Sequence, residues 1–332
     1  MGTLKGEALR VAKWGLRPWR RRTRAHALIL LYHRIARARS DPWKLCVSPE
    51  NFKGHLECLQ RRCDVVPLAE LPARLARDRS SDRPPVAITF DDGYADNLYE
   101  ALPALRAVGA PATVFLATSW VGRSRGFWWD RLADIVLDSG RLPDRFDLSI
   151  GTVDFAWARR AAGSFEALQR RRLYRELWQH FQGAPEGERE AALARIEHVF
   201  SVTARDETTA RPVTAAEVRE MHASGLISIG AHTRTHRSLP TLGAVEQRDE
   251  IEGSRQDCLA LTGVLPACFA YPHGEFDETS PQLARSAGFS LACSTIEELA
   301  WHRGDHFLLP RVSVGDLSAG RFDWWLRSLW LH

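Results

Sequence analysis

Two short segments hold the side chains best suited to chemistry. The first is Ile88-Thr89-Phe90-Asp91-Asp92-Gly93, where an apolar stretch delivers two adjacent carboxylates and a glycine. Neighbouring carboxylates repel, and each raises the other's pKa unless a cation separates their roles. One can then hold a metal ion while the other stays free to take a proton. Taken alone, the pair is more simply read as a helix-capping Asp beside a turn Asp. The second segment is Ile229-Gly230-Ala231-His232-Thr233-Arg234-Thr235-His236. Two histidines four apart fall on one side of a helical turn, within reach of one ion. Satisfied surface histidines account for most such pairs, but this one comes directly after an apolar, strand-like run. One carboxylate and two imidazoles leave positions open for water and substrate, as a hydrolytic metal centre requires.

The elements that must carry these segments follow from hydrophobic spacing. Short β-rich runs at 27–33, 65–68, 86–90, 112–117, 226–230, 267–271, 289–293 and 308–314 read as strands. Helical patterns lie between them. Ser48-Pro49 opens one, Gly109 closes one that covers 96–108, and Thr214 with Glu217 forms a capping box for another. Further helices are expected at 243–262, from Ser280-Pro281 onward, and at 320–331. Residues 120–212 break this rhythm. They are rich in Arg, Ala, Glu and Trp, with helical spacing at 128–138, 164–182 and 187–200, and read as a helical insertion. Alternating strands and helices imply an α/β fold with a mostly parallel sheet. A barrel-like arrangement of six or seven strands suits the polar motifs better than an open sheet, because they follow the ends of several different strands.

Composition sets wider bounds. The chain has 332 residues, 45% hydrophobic and 26% charged, so it is an ordinary globular protein with no run long enough for a conventional membrane-spanning helix. Its net charge of +4 hides an asymmetry: residues 1–39 hold eleven Lys and Arg against Glu7 alone, and the remainder is mildly acidic. A uniformly basic nucleic-acid binder would not look like this. The basic cluster, with Trp14 and Trp19 among it, is suited to the anionic face of a membrane, or forms a solvated arm. The apolar run after it is too short for a secretory signal and reads as a buried strand, which places the chain in the cytoplasm, peripheral on the inner membrane face if the arm engages lipid. Cys46, Cys58, Cys63, Cys258, Cys268 and Cys293 form no CxxC pair and fit buried free thiols in a reducing compartment. Nucleotide binding has no support, since there is no GxGxxG after the first strand and no P-loop.

Thr89-Phe90-Asp91-Asp92-Gly93 and His232-Thr233-Arg234-Thr235-His236, with Pro111-Ala112-Thr113-Val114-Phe115 between them, resemble the polysaccharide deacetylases, carbohydrate esterase family 4, which carry the NodB homology domain. The resemblance covers most of 27–315 outside 120–212, leaving a basic arm at 1–26 and a C-terminal helix at 316–332. It implies a distorted (β/α)7-type barrel with a helical insertion. It implies Asp91 as general base, and Asp92, His232 and His236 as ligands of a divalent metal, usually Zn2+, with Co2+ or Ni2+ as alternatives. The implied reaction removes N-acetyl groups from N-acetylhexosamine units of a polysaccharide or a lipid-linked aminosugar precursor.

Two departures stand out. The late Leu-x-His segment that supplies the catalytic acid in many members is missing. Instead Leu30-Leu31-Tyr32-His33-Arg34-Ile35 precedes the Asp-Asp motif, as in the circularly permuted branch that acts on exopolysaccharides, and His33 is the expected general acid. The third family motif, usually Arg-x-Pro-Tyr-Gly, reads Ala270-Tyr271-Pro272-His273-Gly274 and lacks its base-orienting Arg. Arg311 is the candidate replacement, with an ordinary surface ion pair as its alternative. Tyr271, Pro272 and His273 are expected at the substrate, the main chain of His273 at the oxyanion. Phe127, Trp128 and Trp129 suit either a sugar-stacking surface or a buried cluster. A non-catalytic glycan-binding protein and a hydrolase of another C–N or ester bond are the competing functional readings.

Overall fold

The structure is a computed structural model that describes residues 26–77, 83–138, 142–151, 153–159, 165–202 and 210–331. The basic cluster lies outside the described residues, and with it the membrane reading.

The first half of the chain builds β1 (His26–Tyr32), β2 (Arg34–Ile35), β3 (Cys46–Val47), α1 (Pro49–Arg62), β4 (Asp64–Val65), α2 (Leu71–Arg77), β5 (Pro85–Phe90), α3 (Leu102–Val108) and β6 (Ala112–Leu116). All seven residues of β1 are buried. Such an unbroken apolar run is what a parallel strand covered on both faces requires. Each Leu or Ile buried this way contributes roughly 1.5–3 kcal/mol. Gly109 closes α3 in the left-handed region, at φ 64°.

The insertion follows, with α4 (Trp128–Ala133), β7 (Arg145–Ile150), β8 (Val153–Ala158), α5 (Glu166–Gly183) and α6 (Glu186–Val199). The three helical stretches are present. Between the first and second lies an antiparallel hairpin, β7 against β8, that helical spacing did not flag. Its signature is period two: Phe146, Leu148 and Ile150 are buried and their neighbours exposed.

Regular alternation resumes with α7 (Ala215–Ala223), β9 (Ile227–Ala231), α8 (Ala244–Thr262), β10 (Cys268–Ala270), α9 (Thr279–Ser286), β11 (Leu291–Cys293), β12 (Ala300–Trp301), β13 (Val312–Ser313) and α10 (Ala319–Leu331). The Thr214–Glu217 capping box is formed in full. The main sheet runs β11-β10-β9-β6-β5-β1, all parallel, with β12 antiparallel to the start of β1. β13 pairs in parallel with the other end of β1, while Leu309 bridges Cys293 of β11. Residues 309–313 therefore touch both ends of the curled sheet, a distorted barrel. His33, Asp91, His232, Tyr271, Ser294 and Arg311 all emerge at its carboxyl edge, where a parallel barrel gathers its chemistry.

Candidate active site

Strand alternation sets up the first cluster. Thr89 and Asp91 lie two apart and so share one face of β5 and the turn after it. Arg311, fully buried, donates Nη1–H and Nη2–H to the two oxygens of Asp91, at 2.6 and 2.7 Å. Its Nε donates to the Ser294 carbonyl at 3.0 Å, and Nη1 also reaches Thr89 Oγ1 at 3.3 Å. The Thr89 hydroxyl in turn donates to the Leu30 carbonyl at 2.8 Å. This two-point fork fixes the carboxylate plane. Burial alone would raise the Asp91 pKa, but the guanidinium beside it holds it below the usual range, so the carboxylate stays ionised. The surface-ion-pair alternative for Arg311 does not fit its zero exposure.

The next residue turns the other way. Asp92 has φ 73° and Gly93 φ 83°, both left-handed. Asp tolerates that region better than most residues, and glycine enters it freely. This kink aims Asp92 away from Arg311 and toward the histidines. Its Oδ1 lies 3.2 Å from His236 Nε2 and 3.6 Å from His232 Nε2.

The histidine pair is not on a helical turn. Residues 232–238 form a loop in which Thr233 and His236 are left-handed, at φ 61° each. A β-branched residue there is an outlier that the surroundings must enforce. They do: the Thr233 carbonyl accepts from Thr118 N at 3.1 Å, and Glu250 of α8 accepts from the backbone of Arg234 and Thr235 at 2.8 and 2.9 Å. Convergence of the two rings, 4.8 Å apart, comes from this clamped loop rather than from helical spacing.

One ligand atom each from Asp92, His232 and His236 lies within 4.8 Å of the others, and all three residues are buried. His232 donates Nδ1–H to the Ala270 carbonyl at 2.8 Å, which leaves the Nε2 lone pair facing Asp92. Burial, above all, lowers its pKa to about 4, so the ring is neutral and able to ligate. Asp92 Oδ1 is buried without a hydrogen-bond partner. Separations near 3.2 and 3.6 Å match the edges of a tetrahedron with bonds of about 2 Å. An orphaned carboxylate oxygen facing imidazole nitrogens at this spacing fits a divalent cation.

The other candidates divide. His33, half-buried after β1, is close enough for its charge to act on Asp91 and Asp92, and its carbonyl accepts from Asn97 Nδ2 at 2.8 Å. His273, at φ 57°, sets its ring 4.6 Å from that of His236, and burial foremost lowers its pKa to about 3. Tyr271 is expected at the substrate, and its side chain is turned into the core. It is fully buried among Phe269 and Phe276 and donates to the Phe307 carbonyl at 2.9 Å. Pro272 is also buried. Phe127, Trp128 and Trp129 are core residues at 0, 3 and 5% exposure, not an open sugar face. Spacing gave no hint that the Trp129 ring packs 5.0 Å from His236, or that Glu250 clamps the histidine loop.

The family model described as polysaccharide deacetylase matches residues 78–140 and 195–292, which include both motifs. The chain carries a polysaccharide deacetylase domain over these residues. Between the two matched segments, residues 141–194 hold the hairpin, α5 and most of α6; residues 1–77 and 293–332, with His33 and Arg311, also lie outside the match. Among curated proteins, the chain is 34% identical over 99 residues to YxkH of Bacillus subtilis (strain 168), whose name places it among polysaccharide deacetylases; the aligned part is 30% of this chain and 33% of that one. The similarity thus spans a third of that relative's length. Two solved structures share the fold over nearly the whole chain. The deacetylase PplD of Streptococcus pyogenes, in complex with acetate, has TM-score 0.58 and 17% identity, covering 92% of this chain and 98% of that one. IcaB of Ammonifex degensii has TM-score 0.56 and 18% identity, with coverage of 90 and 96%. At this identity they establish the polysaccharide deacetylase fold.

Proposed function

We propose that this protein is a metal-dependent N-deacetylase that hydrolyses the N-acetyl group of N-acetylhexosamine units in a polysaccharide or its lipid-linked precursor. The observation that carries the reading is the split of two adjacent carboxylates. Asp91 is locked by Arg311, and Asp92 is left without a hydrogen bond beside two imidazoles.

In this reading Asp92, His232 and His236 hold the cation, with Zn2+ best suited to one oxygen and two nitrogen donors. A divalent ion there supplies Lewis acidity toward the acetamide carbonyl and its attacking water. Asp91 accepts the proton of that water as the O–C bond forms at the acetyl carbon. Arg311 keeps the carboxylate ionised and in plane. The backbone N–H of His273 is the proposed donor to the developing oxyanion. His33 gives a proton to the leaving nitrogen as the C–N bond breaks, and the products are acetate and a free amino sugar. Ester and other amide bonds would respond to the same groups. A purely glycan-binding role would not need an ionised, immobilised base.

A cytoplasmic setting belongs to this reading and is supported by six free cysteines. Among the described residues no helix is long and apolar enough to cross a membrane. The test is acetate release from chito-oligosaccharides, exopolysaccharide and lipid-linked aminosugars with Zn2+ or Co2+ present. Release that is lost in Asp91→Asn supports the assignment. No release from any of them, or release indifferent to Asp91→Asn, overturns it. Metal analysis should find about one equivalent of divalent ion, and full occupancy in His232→Ala would remove that residue from the ligand set.

A further inference from the structure

Trp43 is a large apolar side chain left 43% exposed, yet it is held in place from several directions. It sits in the loop between β2 and β3, which springs from the same segment as His33. Asp41 turns this loop by accepting from Leu45 N at 2.8 Å and Cys46 N at 2.9 Å, and Lys44 adopts φ 57° within it. Two hydrogen bonds then tie the loop to the insertion. Ser40 Oγ donates to Asp138 at 2.6 Å, and Trp43 Nε1 donates to Tyr174 Oη at 2.7 Å. The indole N–H is thereby satisfied, and what remains open is ring surface.

That ring lies 4.6 Å from Trp178 of α5, which is half-buried. Trp178 is 6.2 Å from His273, and His273 is 4.6 Å from the candidate ligand His236. An aromatic path therefore leads from the Asp92–His232–His236 centre outward to an exposed, immobilised indole. An exposed tryptophan fixed by its neighbours is pre-organised for a flat apolar ligand, because little side-chain entropy remains to be lost on binding.

We propose that Trp43 and Trp178 form a platform for a pyranose ring adjacent to the sugar being deacetylated. A β-linked N-acetylglucosamine ring carries its substituents equatorially, so each face presents axial C–H groups and the hydroxyls lie around the rim. Such a face packs on an indole, and the rim stays in water. A peptide or lipid chain lacks this shape. The inference rests on the N-deacetylase reading for what lies at the metal end, but the platform itself is tested by binding.

Binding is measured by calorimetry in the Asp91→Asn protein, which keeps the ligand while removing the base. The tetrasaccharide of N-acetylglucosamine should bind at least about tenfold more tightly than the monosaccharide, the scale expected of one good aromatic stack. Adding Trp43→Ala should erase most of that advantage, and Trp43→Phe should restore part of it. Equal affinity for the tetrasaccharide with and without Trp43 overturns the platform, as does equal affinity for the two lengths in the Asp91→Asn protein alone. Trp324→Ala, at an indole 68% exposed on α10, is the control and should leave affinity unchanged. In the active protein, Trp43→Ala should raise KM for the tetrasaccharide with little change in kcat. If the tetrasaccharide binds through Trp43 but the active protein releases no acetate from it, the deacetylase reading fails and the platform stands.

Discussion

The barrel and the insertion keep their structure by different means. The barrel core is largely aliphatic: Leu28, Leu30, Val86, Ile88, Val114 and Ile229 stack between parallel strands and outer helices. The insertion has few elements to close around a centre, and fills it with rings: Trp120, Phe127, Trp128, Trp129, Phe146, Phe155, Trp157, Tyr174 and Phe181. Large side chains bury more area per residue, which a small unit needs to offset its poorer ratio of volume to surface. The two cores meet at a polar seam. Arg34 of β2 donates to Asp96 at 3.0 Å and approaches Asp130 of α4 at 4.0 Å; the Tyr94 hydroxyl donates to Asp130 and accepts from Trp129 Nε1, both at 2.7 Å. Chemistry and packing are thus divided. The barrel edge concentrates charge and backbone strain, and the insertion supplies bulk and walls. The comparison teaches that damage to the two should read out differently.

The largest expected effect is chemical and confined to the barrel. Asp91→Asn should lower kcat by about 10²–10⁴ with metal content nearly unchanged; because it leaves the buried Arg311 guanidinium without its counter-charge, it should also cost about 3–5 kcal/mol of stability, and unchanged kcat would remove Asp91 from the role of base. Arg311→Met comes next. It frees Asp91 inside the protein, and breaking a buried pair costs about 3–5 kcal/mol. Stability and turnover should drop together, and intact turnover would show that the base needs no orienting fork.

Trp128→Ala probes the other region. It removes a ring packed near Trp178 and Phe181, at 6.1 and 5.8 Å, and should cost about 3–5 kcal/mol. Hydrogen exchange should place the new opening in α4–α6 while β1, β5 and β9 stay protected. Uniform loss of protection would erase the distinction between the regions.

Acid and base responses should have opposite signs. Burial foremost lowers the His55 pKa to about 4, from 6.5. Its Nε2 donates to the Leu317 carbonyl at 2.6 Å, tying α1 to the segment before α10. An unfolded chain binds that proton first, so this contribution is complete above about pH 6.5 and is lost as pH falls through 4. Asp130 behaves in reverse. Burial raises its pKa from 3.8 to about 7, so the folded state holds the proton and stability declines as pH rises through that window. Both windows lie between about pH 4 and 7, so over that range the urea midpoint should rise less with pH in His55→Gln than in wild type and fall less in Asp130→Asn. Parallel slopes in wild type and variant would remove either group from the account. The smallest effect is expected at Arg131→Ala, whose partners Glu190 and Glu197, at 2.7 and 3.0 Å, are partly exposed; about 1 kcal/mol or less is expected in chemical denaturation.

Much of the order of elements was legible because parallel strands covered on both faces must be continuously apolar, as β1 and β5 are, and because Gly109 and the Thr214–Glu217 box mark helix ends in purely local terms. The hairpin escaped because its alternation spans only a few residues between stronger helical signals. The burial of the Tyr271 side chain was not legible, because a motif position specifies a backbone path, not the direction of a side chain. The histidine pair was found by its spacing, yet the reason for its convergence lies elsewhere, in two left-handed residues and a carboxylate from α8.

Residue types along the chain were enough to mark the candidate site: adjacent carboxylates and paired imidazoles, each after an apolar strand, and together the motif pair that resembles the polysaccharide deacetylases. What folding adds is the unlike surroundings of the two carboxylates, Asp91 held by Arg311 and Asp92 Oδ1 facing the histidines. Arg311 lies 220 positions from Asp91, and curling of the sheet brings residues 309–313 back beside β1 to place it there. Contacts at that separation depend on how a sheet closes, and sheet closure depends on every strand at once, which no local pattern encodes.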